Sequence, residues 1–234
     1  MLLAIDTSEQ TCSAALVDIG DRVVSKRSEN IGRGHAERLL PLIGEILAET
    51  GSSYNDIKRL AVTTGPGTFT GLRVGLSAAR GIALANKIAC IGLSGLQVLA
   101  AQAQNSAGCM GEHIHAVITG RGGQVFHQAF KGVDEQGMPQ PIMQPVNQDA
   151  DIVAGHMKTL PGLVIGSGRA VLVQAGFEDV LSGVTLENTS VIDPAQLGLM
   201  AWSLNPENYR PEPLYLRDAD AKKAVPILPV NSAR

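Results

Sequence analysis

Aromatic residues, cysteines and surplus basic charge are all scarce in this chain, and each shortage excludes something. Phe, Tyr and Trp make up 3% of the 234 residues, whereas hydrophobic residues make up 44%. A core of this composition has to be built from aliphatic side chains and alanine. A chain of this length buries about 70–75% of its surface on folding, so it needs no disulfide or metal for stability. The composition predicts one large globular domain or two small ones.

The few cysteines and the charge balance exclude further classes of protein. Cys12, Cys90 and Cys109 lack the paired spacing of a disulfide framework or a zinc site. With 19 Lys and Arg against 22 Asp and Glu, the formal net charge is −3. Proteins that grip nucleic acid by themselves usually carry a basic face. If RNA is involved, we expect a partner to supply most of the phosphate contacts.

Targeting and membrane-spanning segments are also missing from the sequence. The apolar start is interrupted by charge at Asp6, which is too soon for a signal peptide. No run reaches the roughly 18 apolar residues that a transmembrane helix needs. We therefore expect a cytoplasmic protein without membrane contact.

Glycine, in contrast, is abundant, and the sequence is best understood from one glycine-rich stretch, Thr64-Gly65-Pro66-Gly67-Thr68-Phe69-Thr70-Gly71-Leu72-Arg73-Val74-Gly75. An apolar run precedes it and an alanine-rich run follows, which predicts a strand, a loop and a helix, with Thr68 or Thr70 as the helix cap. A Walker phosphate loop is excluded because it lacks the lysine. Close packing is the favoured role of the glycines, and anion binding at the helix N-terminus, beside Arg73, is the alternative.

The helix after this loop has small residues at three- and four-residue spacing, which places them on one face. Glycine costs a helix about 1 kcal/mol relative to alanine, so Gly71 and Gly75 indicate that another segment, a partner helix or a phosphate comes close. A second amphipathic helix is predicted at residues 35–47. We predict a partner-binding surface formed by Leu39, Ile43, Leu47, Gly71, Gly75, Ala78 and Ile82.

The apolar pattern predicts a similar order of elements twice. The first unit has strands at residues 2–5, 11–17, 22–29, 60–63 and 88–93, and helices at 35–47, 69–86 and 94–104. The second has strands at 114–118, 124–130, 142–146 and 163–165, and helices at 151–160, 171–175 and 194–204. Gly120-Arg121-Gly122-Gly123 is predicted to be a hairpin turn. We predict a duplicated α/β unit with domains at residues 1–105 and 106–234.

Few residues have the pattern of a catalytic or metal site. No histidine has a second one three or four residues away, the spacing of a helical metal pair. His113 and His115 would share a strand face, but without a carboxylate beside them. His35 with Glu37 fits an acid–base pair or, more simply, the first turn of a helix. We expect no catalytic residue and no metal.

Asp6-Thr7-Ser8 follows the first predicted strand, where actin-like folds place a phosphate-binding loop. Such loops usually contain glycine, which lets backbone amides approach the phosphate, and none occurs between Asp6 and Cys12. A plain turn is favoured. Asp6, Thr7 and Ser8 remain weak candidates for nucleotide binding, and no cofactor is expected.

A resemblance to a known family is carried by the glycine-rich stretch together with Ala4-Ile5-Asp6-Thr7-Ser8, His35-Ala36-Glu37-Arg38-Leu39-Leu40-Pro41 and Pro213-Leu214-Tyr215-Leu216-Arg217. In this order and spacing they resemble the TsaB family, also called YeaZ, of bacterial accessory proteins for threonylcarbamoyladenosine formation in tRNA. The resemblance covers nearly the whole chain, and the glycine-rich stretch is its most specific part.

The resemblance implies an actin/hexokinase-like (ASKHA) duplicated fold with two α/β subdomains. It implies a non-catalytic scaffold that works with the catalytic paralogue TsaD and the ATPase TsaE. That assembly transfers a threonylcarbamoyl group to the adenosine 3′ of the anticodon in tRNAs that read codons beginning with adenine. It further implies that first-domain helices bind TsaD, that the isolated chain forms a homodimer, and that tRNA is reached through the complex.

The sequence departs from the family's pattern at one place, and two other classes of function are the alternatives to this resemblance. Thr119-Gly120-Arg121 stands where relatives often have Asp-Ala-Arg, so any role of that aspartate is unfilled here. A small-molecule kinase or ATPase of the same fold is the main alternative, and it requires phosphate-loop glycines and ATP turnover by the isolated chain. A metalloprotease requires a pair of metal ligands.

Overall fold

The first sheet is organised around the apolar strand at the start of the chain. In a computed structural model, which describes residues 1–18, 20, 22–107, 113–135, 137–181 and 190–216, β1 (Leu2–Asp6), β2 (Thr11–Asp18) and β3 (Arg22–Asn30) form an antiparallel meander. β4 (Arg59–Thr63) and β5 (Ala89–Leu93) extend it in parallel, in the order β3-β2-β1-β4-β5. β1 is central and buried along its whole length, which explains its unbroken apolar run.

Helices cover both faces of this sheet. α1 (His35–Glu49) and α2 (Phe69–Asn86) lie on one face, and α3 (Gly95–Ala107) lies on the other. Alternate residues of β1 face the two layers: Leu3 and Ile5 pack beneath α1 and α2, whereas Leu2 packs in the cluster that contains α3. That second cluster also includes residues of the second sheet, so the two sheets share a core.

The helix boundaries follow the local sequence signals. Thr68 caps α2, since its side-chain oxygen accepts a hydrogen bond from the Gly71 N–H at 3.2 Å. α1 runs on through Pro41, which is therefore neither in its first turn nor at its end. Gly51 follows α1 with a φ of 63°, the left-handed conformation that commonly ends helices.

The second sheet repeats the strand arrangement of the first. It contains β6 (His113–Thr119), β7 (Gln124–Val133), β8 (Pro139–Pro141), β9 (Val146–Asp149) and β10 (Gly162–Ile165), and α4 (Ala150–Thr159) and α5 (Arg169–Gln174) accompany it. The order is β10-β6-β7-β8, with β9 also paired to β7. β6 is antiparallel to β7 and parallel to β10, as β1 is to β2 and β4. The predicted duplication of an α/β unit is confirmed.

The predicted strand at residues 142–146 is wrong. β8 ends before this segment, and β9 begins only at its last residue. Pro141 precedes the segment and Pro145 lies within it, and proline has no N–H to donate to a sheet. The segment is held by isolated hydrogen bonds instead, such as the one that the Gln128 side chain donates to the Met143 carbonyl at 3.1 Å.

The last described segments return to the first sheet. α6 (Pro194–Ala201), which ends before the predicted residue 204, packs on β1 and β2, and a Cβ at Gly198 would lie 2.7 Å from Cγ2 of Val17. The tail after α6 runs beside β5, where the Gly92 N–H donates to the Tyr209 carbonyl at 2.9 Å. The predicted domain boundary after residue 105 falls inside α3, and the domain limits stay a prediction.

Three histidines from different elements meet inside the second half of the chain. His115 on β6 and His127 on β7 are buried, with 2.9 Å between Nδ1 of His115 and Nε2 of His127. The ring centroid of His156, on α4, lies 5.9 Å from that of His127. Burial, and then the charges of the other two histidines, lower the pKa of His127 to about 3. His127 is therefore neutral at physiological pH.

This arrangement predicts a loss of stability in acid. In the unfolded chain a histidine takes up a proton near pH 6.5, whereas His127 in the folded chain stays neutral down to about pH 3. Stability should therefore fall as the pH drops from 6.5, and His127→Phe should remove about 1–2 kcal/mol of the loss between pH 7.5 and pH 5. Urea unfolding at both pH values measures this difference. The half-buried His113 provides the control as His113→Gln, and equal pH dependence in wild type and His127→Phe would contradict the assignment.

Candidate partner-binding groove and the end of the first strand

The residues after β1 are enclosed by the chain itself. Asp6, Thr7 and Ser8 are at most 1% exposed. Oδ1 of Asp6 accepts hydrogen bonds from the Ser8 hydroxyl at 2.7 Å and from the Thr63 hydroxyl at 2.5 Å. Burial raises the pKa of Asp6, and these hydrogen bonds oppose the rise. The three weak candidates for nucleotide binding therefore hold a turn together in the core.

The glycine-rich stretch packs against this turn. A Cβ at Gly67 would lie 2.1 Å from the Ser8 carbonyl oxygen, and one at Gly71 would lie 2.1 Å from the Thr7 carbonyl oxygen. Only glycine permits such approaches. The Thr68 N–H donates to the Ser8 carbonyl at 2.7 Å, so a donor at the start of α2 is used within the chain. These glycines therefore pack closely against the chain, which is the role that the sequence analysis favoured.

This packing corrects the predicted partner-binding surface. Gly71 and Gly75 face Thr7, whose hydroxyl would lie 2.5 Å from a Cβ at Gly75, so they are not available to a partner. A larger residue at Gly75 would disturb the fold rather than test an interface. The remaining members are half-buried or lie in the core beneath the helices: Ala78, Ile82, Leu39, Ile43 and Leu47.

The outer sides of the same two helices form an open apolar groove. It is lined by Ala36, Leu39, Leu40, Phe69, Thr70, Arg73, Val74, Ser77 and Ala78. Leu40 and Phe69 are each 52% exposed, although both side chains are large and apolar. Of the predicted surface, only Leu39 and Ala78 line the groove. The groove lies on the same two helices as the predicted surface, but most of the predicted residues lie on the side of these helices that the chain covers itself.

Phe69 in the groove makes two contacts through its ring, and a separate charged network lies on α1. The Arg73 guanidinium lies 3.6 Å from the Phe69 ring centroid, a cation–π contact, and the Tyr215 ring lies 5.8 Å from the same ring. On α1, Arg38 binds Glu29 of β3 and Glu45, each at 2.6 Å. The hydrogen bonds from Arg38 lower the pKa of both carboxyls. This network ties the helix to the edge of the sheet.

The other candidate residues are dispersed. His35 is buried at the start of α1, where its Nε2 has no hydrogen-bond partner among the described residues, and Glu37 is exposed. Of the motif at residues 213–217, Arg217 lies outside the described residues, as does Cys109. Among the described residues, no group of three or more His, Cys, Asp or Glu is arranged to hold a metal ion. None of the helices in that part of the chain is long and apolar enough to cross a membrane.

Comparison with known proteins relates the chain to one tRNA-modification system. The family model for TsaD, described as tRNA N6-adenosine threonylcarbamoyltransferase, matches residues 24–146. The tRNA threonylcarbamoyladenosine biosynthesis protein TsaB of Escherichia coli (strain K12) is 33% identical over 239 aligned residues, which cover 96% of this chain and 98% of the relative. The solved structure of YeaZ from Pseudomonas aeruginosa has a TM-score of 0.73 at 27% identity, with 92% of this chain and 99% of that chain covered.

A more distant structure shows the fold alone. The activator of 2-hydroxyisocaproyl-CoA dehydratase from Clostridium difficile, solved with bound ADPNP, has a TM-score of 0.53 at 11% identity and covers 86% of this chain and 94% of its own. With the repeated strand order, these similarities define an actin/hexokinase-like (ASKHA) protein of two α/β units. Within this class, the chain belongs to the TsaB family, also called YeaZ, of tRNA threonylcarbamoyladenosine biosynthesis proteins. The resemblance found in the four sequence motifs is confirmed.

The packing of α2 predicts opposite effects of one substitution at two of its glycines. Gly71→Ala should destabilise the chain by about 1–3 kcal/mol, because the added methyl group collides with the Thr7 carbonyl. Gly81→Ala on the same helix meets nothing within 4 Å and should stabilise it by up to about 1 kcal/mol. Urea unfolding monitored by circular dichroism measures both. Equal effects of the two substitutions would show that Gly71 is not in close contact with β1.

Proposed function

We propose that this chain is the non-catalytic subunit that binds TsaD through the groove between α1 and α2. In this proposal it acts as a scaffold while TsaD, assisted by TsaE, transfers the threonylcarbamoyl group to the adenosine 3′ of the anticodon. The substrates are tRNAs that read codons beginning with adenine, and they are bound through the complex. This function places the chain in the cytoplasm.

The observation that carries the proposal is the exposure of large apolar side chains along the groove. Leu40 and Phe69 are 52% exposed, and Tyr215 beside them is 50% exposed. Covering apolar surface contributes about 25 cal/mol for each Å² removed from water. Contiguous apolar patches of this kind are typical of protein–protein interfaces. The arginine and tyrosine at the rim belong to the residue types enriched in such interfaces.

The sequence relation to the transferase supports TsaD as the occupant. The TsaD family model matches residues 24–146, a range that includes both α1 and α2. Two homologous chains that share this helix pair have surfaces of similar shape, and paired helices can then pack against each other. The same reasoning makes a second copy of this chain the occupant in the absence of TsaD, which gives a homodimer.

The enclosed turn after β1 supports a non-catalytic role. Asp6, Thr7 and Ser8 are hydrogen-bonded within the chain and are at most 1% exposed. A phosphate could approach them only if α2 moved away from Thr7. The kinase or ATPase alternative required this turn as its phosphate site, and no observation favours it.

Groove variants test the assignment directly. Leu40→Asp and Phe69→Asp should each reduce co-purification with TsaD at least about tenfold, because they place charge on apolar interface surface, while melting temperatures stay close to wild type. Val133→Asp is the matched control, since Val133 is 47% exposed on β7, outside the groove. Wild-type recovery of TsaD by both groove variants would refute the interface.

Reconstitution tests the function itself. TsaD and TsaE should modify tRNA efficiently only when this chain is added, and the groove variants should fail to restore modified adenosine measured by mass spectrometry of digested tRNA. The isolated chain should produce no modified adenosine. Size-exclusion chromatography with light scattering should show the wild type as a dimer and Leu40→Asp as a monomer. Modification by the isolated chain would overturn the scaffold role.

A further inference from the structure

Arg73 is the one charged residue among the described residues that line the groove, and the others are apolar or carry a neutral hydroxyl group. Phe69 and Arg73 are four residues apart on α2, which places both side chains on one face of the helix. The guanidinium lies 3.6 Å from the centroid of the Phe69 ring, which supports it from one side. The groove is therefore an apolar surface with a single positive charge on it.

No acidic side chain in the described part of the chain neutralises this charge. Arg38 on α1, in contrast, binds Glu29 and Glu45, each at 2.6 Å. Arg73 makes neither an ion pair nor a hydrogen bond with the described residues, and its charged group contacts only the face of the Phe69 ring. A guanidinium has five N–H donors and no acceptor. The donors of Arg73 are thus available to a molecule that covers the groove.

A protein that covers the groove has to compensate for this charge. Removing a cation from water is costly unless hydrogen-bond acceptors replace the water. A carboxylate is the best match for the planar guanidinium, because it can accept two parallel hydrogen bonds from it. The occupant that fits the groove is therefore a surface that presents a carboxylate among apolar side chains.

A second copy of this chain does not meet this requirement. In a twofold dimer, a surface patch packs against the same patch of the other copy. Glu37, an exposed acid of α1, lies outside the groove lining, and its carboxylate lies 3.6 Å from the position of a Cβ at Gly34. Two copies of Arg73 would then enter one interface whose described lining contains no acid. Like charges repel, and more strongly where water is excluded, so the charge opposes self-association.

We propose that Arg73 determines which occupant the groove prefers. It favours TsaD, which presents a carboxylate to it, and it disfavours a second copy of this chain, so that the homodimer is readily displaced. This inference rests on the proposed function, in which the groove binds TsaD. It requires effects of opposite sign on two complexes formed by one surface, which a residue that only stabilised the fold would not produce.

Arg73→Gln tests the preference in both complexes. The affinity for purified TsaD, measured by isothermal titration calorimetry, should fall at least about tenfold, whereas the homodimer, measured by analytical ultracentrifugation, should become at least about threefold tighter. Raising the salt concentration from about 50 to about 500 mM should weaken the wild-type complex with TsaD and strengthen the wild-type homodimer. Arg22→Gln is the matched control, since it removes the same charge from an exposed side chain of β3, outside the groove.

Charge reversal provides an independent measurement. Arg73→Glu should bind TsaD more weakly than Arg73→Gln does, because the new carboxylate faces the carboxylate of TsaD. When Arg73→Glu is mixed with wild type, native mass spectrometry should show more mixed dimers than random pairing gives. The new carboxylate then meets Arg73 of the wild-type copy, so repulsion is replaced by attraction.

Wild-type affinity of Arg73→Gln for TsaD would overturn the proposal. An unchanged or weaker Arg73→Gln homodimer would do so too, because Arg73 would then be neutral toward self-association or support it, for example through Glu37 of the second copy. If Leu40→Asp loses TsaD and Arg73→Gln does not, the groove is the interface but Arg73 does not select its occupant. Wild-type binding of TsaD by Leu40→Asp and Phe69→Asp would instead refute the proposed function.

Discussion

The close contact between two glycines and the carbonyl oxygens after β1 determines the position of most functional surfaces in this chain. Gly67 and Gly71 approach Ser8 and Thr7 so closely that no side chain fits between them. This contact places α2 on the first sheet, and its outer side becomes one wall of the groove. In the same loop, the Gly65 carbonyl accepts a hydrogen bond from the Gly95 N–H, and this bond joins the loop to α3. A side chain at Gly67 or Gly71 would push the carbonyl oxygens after β1 and α2 apart and so displace these elements together.

Local signals in the sequence located most of the elements but not what covers them. Thr68, one of the two residues predicted as the cap of α2, is the cap in the structure, and the strand–loop–helix order around it was predicted correctly. The strand predicted at residues 142–146 is the exception. The spacing of Gly71, Gly75 and Ile43 shows that a helix face is apolar or small, but the same spacing fits a core and an interface. Leu40 lies outside the stripe of Leu39, Ile43 and Leu47, among exposed residues of α1 such as Ala36 and Gly44, so the periodicity of the core side did not select it. The contact of His115, His127 and His156 was equally hidden, since it depends on strand pairing and helix packing across the second half.

The polar groups of the turn after β1 are hydrogen-bonded within the chain and are shielded from solvent. Asp6 is fixed by Ser8 and Thr63, and Glu9 reaches across to Ser167, so polar groups at the junction of the two halves bind each other. In an actin-like protein that binds nucleotide, this junction has to remain open to phosphate. Side chains that satisfy one another there favour a closed and rigid body. Rigidity agrees with the proposed scaffold role, because an interface formed by preordered helices loses little conformational entropy on binding.

The scarcity of aromatic residues gives the groove its significance. The chain has only four Phe, three Tyr and one Trp, and its core is filled by aliphatic side chains. Phe69 and Tyr215 are nevertheless placed half-exposed against each other, with Arg73 stacked on Phe69. Tyr215 reaches this position because the Leu214 N–H is bonded to the Thr64 carbonyl at 2.7 Å, beside the glycine-rich stretch. Tyr215, in the segment after α6, therefore lies beside a groove that is lined by residues of α1 and α2. A partner that covers both the groove and this ring would contact the two helices and that segment together.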